Sequence, residues 1–494
     1  MPCLHRALAL TILLAGLVAA YSYHDYDNMT SYLSTLQQQN PGMATLTSAG
    51  KSVQGRELWV FGITGTVPVE WKPNVLILAN IHGDETVGRE VLIDVIAYML
   101  EQYNQLYDVT HLLNHLNVYF VPSINPDGFE LGTRTNAHGV DLNRNFPDHS
   151  SRPNPSLDDI EPEVQAIMNF LNSRKWLMVT NLHGGALVAN YPLDNPLADG
   201  TRRAEYNDVL STLASCYAQS HPSMWRSTEF VGGITNGVDW YYLVGGLQDY
   251  AYFWHGAMSL TLEIGDIKNP PANDIPSYLA DNRPAVVSLA GECLLEAGGI
   301  SGVVRDAATA QVMGQVQVQV AGRQQISTYT DDSGHFVLLL PPGESFDLIF
   351  TAEGYAVLQL VAESGIHAWQ RIEATMKAPD SSTSGILPFY IPILSDWLEK
   401  FGDSALGSLL SPTTWILALV LCVPTLFVGL GLIAAGLICT LRQRQLQGSS
   451  PMPIPIPLSS PLSSEHEDGS VFMLQEGAME LEAVSEDAES VVSV

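Results

Sequence analysis

Basic residues are scarce in this 494-residue chain: 22 Lys and Arg stand against 52 Asp and Glu, a formal net charge of −30. A surface so acidic repels phosphate backbones, which proteins hold with Lys and Arg, so nucleic acid is excluded as a partner. Charge of either sign is sparse, at 15% of residues, while 46% are apolar. That balance excludes disorder throughout, because unfolded chains are poor in apolar and rich in charged residues. Cysteine is scarce too, with five in all: Cys3 at the extreme N-terminus, Cys422 and Cys439 in an apolar run near the other end, and only Cys216 and Cys293 between. A disulfide-stapled scaffold is therefore excluded. One bridge between Cys216 and Cys293 and two separately buried thiols fit equally well.

The ends set the compartment. Residues 1–20 carry one Arg, then an uncharged stretch from Ala7 to Val18, then Ala19 and Ala20 before the polar YSYHDYD. This is the pattern of a cleaved signal peptide, too short to span a bilayer and with small residues where a peptidase cuts. Residues 413–441 form a run of 29 without a charge. At about 1.5 Å per residue a helix of that length crosses roughly 30 Å of hydrocarbon. Arg442 and Arg444 follow at once, which predicts a single-pass type I membrane protein with 21–412 luminal or extracellular. The expected location is the Golgi, endosomes or plasma membrane. The remainder of 442–494 holds nine acids and, after Arg444, no Lys or Arg, so a disordered acidic cytoplasmic tail is expected. Ser463, Ser464 and Ser485 stand before acids, and Phe472 with Leu474 resembles a short signal for cytosolic sorting machinery. A solvated tail with no reader fits as well.

At about 150 residues per domain the length predicts roughly three units. Over 21–298, apolar strand-like runs alternate with helical ones: VLILA at 75–79, a helix around 86–102, VYFVP at 118–122, a helix around 161–173, and WLMVTNL at 176–182. In the first helix Val87, Val91 and Val95 recur every four residues, so one face is buried. Continuous apolar strands between helices predict an α/β domain with a mixed, largely parallel sheet. After Gly299 the period becomes two, as in Val316, Val318 and Val320, with a turn at 331–334. Some seven short strands are expected over 299–376, a small all-β sandwich. Residues 377–412, rich in Ser, Pro and Gly, read as a stalk. Asn28-Met29-Thr30 is the usable glycosylation sequon, since Asn154 precedes Pro.

His82 and Glu85 form an HxxE pair just beyond the strand ending at Ala79. Alone the pair is weak, but it lies at the C-terminal end of a predicted parallel strand, the edge where α/β sheets place ligands. His183 closes WLMVTNL at an equivalent strand end. Two imidazoles and a carboxylate would leave a fourth position of a zinc ion open, as catalytic sites do. Between these strands lies DLNRNFPD, Asp141 to Asp148, preceded by Arg134. It could be turn chemistry, yet two arginines ten residues apart beside Asn143 can grip a carboxylate and an oxyanion together. Glu263 closes MSLTLE, and beside a metal it is suited to general-base work on water.

These residues resemble the metallocarboxypeptidases of the N/E-type subfamily, the group with carboxypeptidases N, M, E and D. The likeness covers about 24–376 and rests on His82-Gly83-Asp84-Glu85, SINPDGFE (123–130), the Arg134 loop, DLNRNFPD, NLHGGALVANYP (181–192), GGITNGVDWYYLVGGLQDY (232–250) and TLEIGD. It is most like a membrane-bound carboxypeptidase D type with a single catalytic domain. The resemblance implies the metallocarboxypeptidase fold, a transthyretin-like sandwich for the all-β unit, and one zinc ion held by His82, Glu85 and His183. Asp141 would orient an imidazole. Arg134 would stabilise the oxyanion, and Asn143, Arg144 and Tyr250 would bind the terminal carboxylate of a substrate. Glu263 would be the general base of a zinc–water mechanism. Asp194 would select Arg or Lys at peptide or protein C-termini, a buried carboxylate needing a cationic partner.

Asp84 stands where the family usually has Asn, and Ile264-Gly265 replaces Leu-Ser. A membrane-anchored binding or sorting protein built on an inactive domain is the alternative, set against the completeness of the metal and base set. A zinc deacylase with the same metal pattern is disfavoured by Tyr250, Asp194 and the all-β unit.

Overall fold

The computed structural model describes residues 21–379 apart from His367. The signal peptide, Cys3, nearly all of the stalk, the apolar run 413–441 and the acidic tail lie outside the described residues. Among those described, no helix is long and apolar enough to cross a membrane.

An eight-stranded sheet runs from β1 (Ala44–Lys51) to β8 (Met258–Gly265). Between them come β2 (Glu57–Ile63), β3 (Asn74–Ala79), β4 (Asn117–Val121), β5 (Met178–His183), β6 (Ala186–Tyr191) and β7 (Ile234–Asn236), in the order β1-β2-β4-β3-β5-β8-β6-β7. Only its middle, β4-β3-β5-β8, is continuously parallel. Antiparallel pairings of β2 with β4 and of β6 with β8 flank that centre. The sheet is mixed, as the sequence predicts, with its parallel pairings concentrated at the centre and antiparallel strands at its flanks. β5 and β8 are buried along their whole length.

Helices cover both faces: α1 (Tyr26–Gln39), α2 (Val87–Gln102), α3 (Tyr107–His115), α4 (Pro126–Leu131), α5 (Pro162–Asn172), α6 (Asn207–Ser220), α7 (Gly237–Trp240), α8 (Leu247–His255) and α9 (Ile275–Ser288). Alternation along β3 divides the core. Val75, Ile77 and Ala79 pack with Val87, Val91 and Val95 of α2, while Leu76 and Leu78 pack with Val164 and Ile167 of α5 and Leu247 of α8. Cys216 of α6 and Cys293 are joined in a disulfide, which decides between the two possibilities the sequence left open.

Beyond α9, residues 300–376 form seven strands in two sheets, β11-β10-β13-β14 and β12-β9-β15. These are β9 (Ile300–Asp306), β10 (Gln317–Val320), β11 (Arg323–Tyr329), β12 (His335–Leu338), β13 (Ser345–Thr351), β14 (Leu358–Glu363) and β15 (Gln370–Met376). Phe336 and Phe350 meet edge to face across the sheets, 5.6 Å between centroids.

Candidate metal and substrate site

Three parallel strands deliver the site. β3 ends at Ala79, and Asn80 follows in a left-handed conformation (φ 56°) that Asn tolerates better than most residues. Its amide donates to the carbonyls of His82 (2.9 Å), Gly83 and Glu85 (both 3.3 Å), and its Oδ1 accepts from Ser123 (2.7 Å). Asn80 is thus the post around which the HxxE loop bends. Gly83 lies against the backbone of Gly128, where a Cβ would collide, and its N–H donates to the Arg134 carbonyl (3.2 Å). On the neighbouring strands His183 pairs directly with Glu263.

His82, Glu85 and His183 are buried, with ligand atoms all within 4.8 Å of one another. Both imidazoles turn Nδ1 to Glu85, at 3.0 Å from His82 and 2.9 Å from His183. The other nitrogen of His82 lies 3.0 Å from Asp141 Oδ1, and that of His183 lies 2.8 Å from the Asn181 amide. Among the described residues Asn181 Oδ1 is buried without a partner. Turning that amide over would let Oδ1 accept the imidazole N–H and leave Nδ1 as a lone-pair donor. Arg134 (3.2 Å) and Lys268 (2.9 Å) both reach Glu85 Oε1. Burial raises the Glu85 pKa, but His183 and His82 outweigh it and hold the carboxyl far below its ordinary range. Two nitrogens and an ionised oxygen converging with one side open are the donor set of a catalytic zinc ion. The residues fit the metal.

Around them is a cleft of about 160 Å³ lined by these three residues with Arg134, Asn143, Asp194, Tyr241, Glu263 and Lys268 among others. Arg134 is held by Asp141, Nε to Oδ2 at 3.0 Å. Glu263 is buried with Oε2 unpartnered among the described residues, and burial, opposed by His183, raises its pKa to about 7. Asp194 is 3% exposed, accepting from Asn190 (3.0 Å) and Gln248 (2.8 Å). Burial and then neighbouring Asp249 push its pKa well up.

The first turn of α8 ties the walls together. Leu247 N–H donates to Asn143 Oδ1 (3.0 Å), Gln248 holds Asp194, and Asp249 accepts the backbone N–H groups of Asp194 (3.0 Å) and Asn195 (3.2 Å). Two of the expected substrate residues do not line the cleft. Arg144 is exposed, its Nη1 donating to the Asn143 carbonyl (2.9 Å). Tyr250 is buried, its ring 5.3 Å from Phe146 and stacked 5.2 Å from Trp254. Asn28 is exposed in the first turn of α1, and Asp84 Oδ1 is buried without a partner among the described residues.

Sequence reasoning missed Lys268, Asn80, Asn181 and Asp249. A signal existed for two of them: Asn-x-His occurs at both 80–82 and 181–183, placing an amide two residues before each imidazole. Lys268 comes from a loop folded back on the ligands, where the Thr86 N–H donates to its carbonyl (3.0 Å). Nothing local in the sequence marks that return.

Residues 29–285 match the family profile described as zinc carboxypeptidase. The chain is 37% identical to mouse carboxypeptidase M over 369 residues, 69% of this chain and 81% of that protein. It is 31% identical to the catalytic chain of human carboxypeptidase N over 389 residues, 70% and 84% of the two. Against Drosophila melanogaster carboxypeptidase D the identity is 36% over 399 residues, 73% of this chain but only 28% of that longer protein.

Proposed function

The chain belongs to the zinc carboxypeptidase family, and on that premise we propose that it is an exopeptidase releasing C-terminal Arg or Lys from peptides and proteins. One observation supports the basic preference above others: Asp194 is a buried carboxylate lining the same cleft as the ligand triad and Glu263. With burial and Asp249 raising its pKa, ionisation there is favoured by a guanidinium or ammonium arriving beside it.

Held by His82, Glu85 and His183, zinc would supply Lewis-acid polarisation of the scissile carbonyl and the attacking water. The chain's own groups do the rest. Glu263, with Oε2 unpartnered, takes a proton from water and passes it to the departing amine. Arg134, tethered by Asp141, presents its guanidinium where the oxyanion develops. Asn143 meets the substrate's terminal carboxylate, and Arg144 and Tyr250 join it only by turning their side chains from the positions described. The signal peptide, membrane span, sorting tail and glycan at Asn28 belong to the same proposal and rest on the sequence patterns alone.

The test is release of the last residue from peptides ending in Arg, Lys, Leu or Glu by zinc-loaded protein. Arg and Lys are expected to lead, and Asp194→Ala is expected to reduce the Arg-over-Leu ratio in kcat/KM by about a hundredfold, the scale of an unpartnered buried charge. An unchanged ratio would remove Asp194 from the assignment; no release from any peptide would remove the activity.

A further inference from the structure

The cleft has a deep end and a lip. Asp194 lies deep, whereas Tyr241, 45% exposed, and Lys268 stand at the opening. A substrate whose last side chain reaches Asp194 therefore leaves past Tyr241 and Lys268. On the Tyr241 side an apolar surface continues outward. Trp240, which also lines the cleft, meets the Tyr241 ring at 4.8 Å and the Phe230 ring at 5.3 Å, both edge to face. Next to these in the chain stand Val231, 88% exposed, and Tyr242, 62% exposed.

The ridge is held in place rather than loose. Arg202 donates to the Tyr242 hydroxyl (2.9 Å) and lies 5.8 Å over its ring. Asp239 in turn pairs with both Arg202 and Arg203, so the nearby charges are occupied with one another. Contiguous large apolar residues exposed on a protein surface mark contact sites, and pre-ordered aromatic rings bind at low conformational cost.

We propose that Phe230, Val231, Trp240, Tyr241 and Tyr242 form a subsite for the substrate chain upstream of the scissile bond, selecting an apolar or aromatic residue two or three positions before the C-terminus. The occupant is the substrate itself, because Trp240 and Tyr241 belong to both the cleft and the ridge. An extended chain advances about 3.3 Å per residue, so two or three residues beyond the lip cover the row from Tyr241 to Phe230. The inference rests on the exopeptidase reading for the direction of the chain.

Peptides ending in Arg and differing only at the third residue from the end, Phe, Ala or Glu, test it on the full-length zinc-loaded protein. KM for the Phe peptide is expected about tenfold below that for the Ala peptide, the scale of one aromatic contact, with kcat little changed. The combined substitution Phe230→Ser, Val231→Ser and Tyr242→Ser is expected to bring that ratio below about twofold by raising KM of the Phe peptide toward that of the Ala peptide. Dissociation constants of the same peptides for Glu263→Gln protein are measured in parallel. If no peptide is cleaved yet the Phe preference appears in binding, the ridge stands and the exopeptidase reading falls. Equal KM and dissociation constants for the Phe and Ala peptides, or a ratio that survives the triple substitution, would overturn the ridge.

Discussion

The eight-stranded sheet with its helices and the seven-stranded β unit both enclose apolar cores, yet they treat buried charge in opposite ways. In the first, His82, Glu85, Arg89, Asp127, Asp194, Asp249 and Glu263 are all buried. Some lack partners: Glu263 Oε2 and all three guanidinium nitrogens of Arg89, which lies 3.8 Å over the Phe129 ring, have none among the described residues. In the described residues of the second, the buried polar side chains are Thr330, His335 and Ser364, with no carboxylate. Thr330 and Ser364 donate to the carbonyls of Met313 (2.7 Å) and Leu340 (3.2 Å). His335 stacks on Trp71 of the α/β unit, 5.3 Å between centroids. Unsatisfied charge costs stability, and at Glu263, which lines the cleft, it marks where the fold gives up stability for chemistry.

The sharpest way to break this contrast is Glu263→Gln. If the carboxylate serves chemistry and strains the fold, kcat should fall by about 10²- to 10⁴-fold, the range of a lost general base. Thermal stability of the metal-free protein should stay level or rise, because a buried group with an unpartnered oxygen loses its charge. A clear drop in melting temperature with activity retained would reverse the roles assigned to the two regions.

His255 extends the contrast beyond the metal ligands. It ends α8, its Nε2 is buried without a partner among the described residues, and burial followed by Lys175 lowers its pKa from 6.5 to about 4. Below 6.5 the unfolded chain takes up a proton that the folded chain refuses. The stability is therefore fully present above 6.5 and is lost as pH falls toward 4. The denaturation midpoint should decline across that window, and His255→Phe, keeping an aromatic ring beside Tyr250, should flatten the decline. An equal slope in both proteins would assign the acid sensitivity elsewhere.

How much of this was legible in the sequence differs between the two regions for the same physical reason. The β unit reads directly, because alternation such as Val318 and Val320, both buried in β10, follows from the pleat alone. The parallel centre was equally plain in its apolar runs, and the ends of β3 and β5 and the polar end of β8 pointed to His82, Glu85, His183 and Glu263. What stayed hidden depends on contacts distant in the chain. Lys268 meets Glu85 across 183 positions, and Asp249 clamps the Asp194 backbone across 55. No local period encodes such meetings. Side-chain direction was hidden as well: the resemblance puts Tyr250 at the site but does not reveal its ring packed between Phe146 and Trp254.

The smallest expected effect lies at the junction of the two regions. Asp331 Oδ1 accepts the backbone N–H groups of Ser333 (3.0 Å) and His335 (3.1 Å), and its Oδ2 accepts Trp71 Nε1 (2.5 Å). Its bonds shape the turn before β12 and fasten the β unit to the loop ahead of β3, with no part in the cleft. Asp331→Ala should therefore cost about 1–2 kcal/mol, the scale of a few lost hydrogen bonds at a partly exposed turn, read as a lower denaturation midpoint. Asp331→Asn, which keeps one acceptor oxygen for the turn, should cost less. Neither should change kcat/KM for an Arg-ending peptide by more than about twofold, since catalysis depends on the ends of β3, β5 and β8 being held in register by their own sheet. If Asp331→Ala lowers kcat/KM tenfold while the chain remains folded, the β unit acts on the cleft through the Trp71 loop, and the division between a chemical region and a structural one fails.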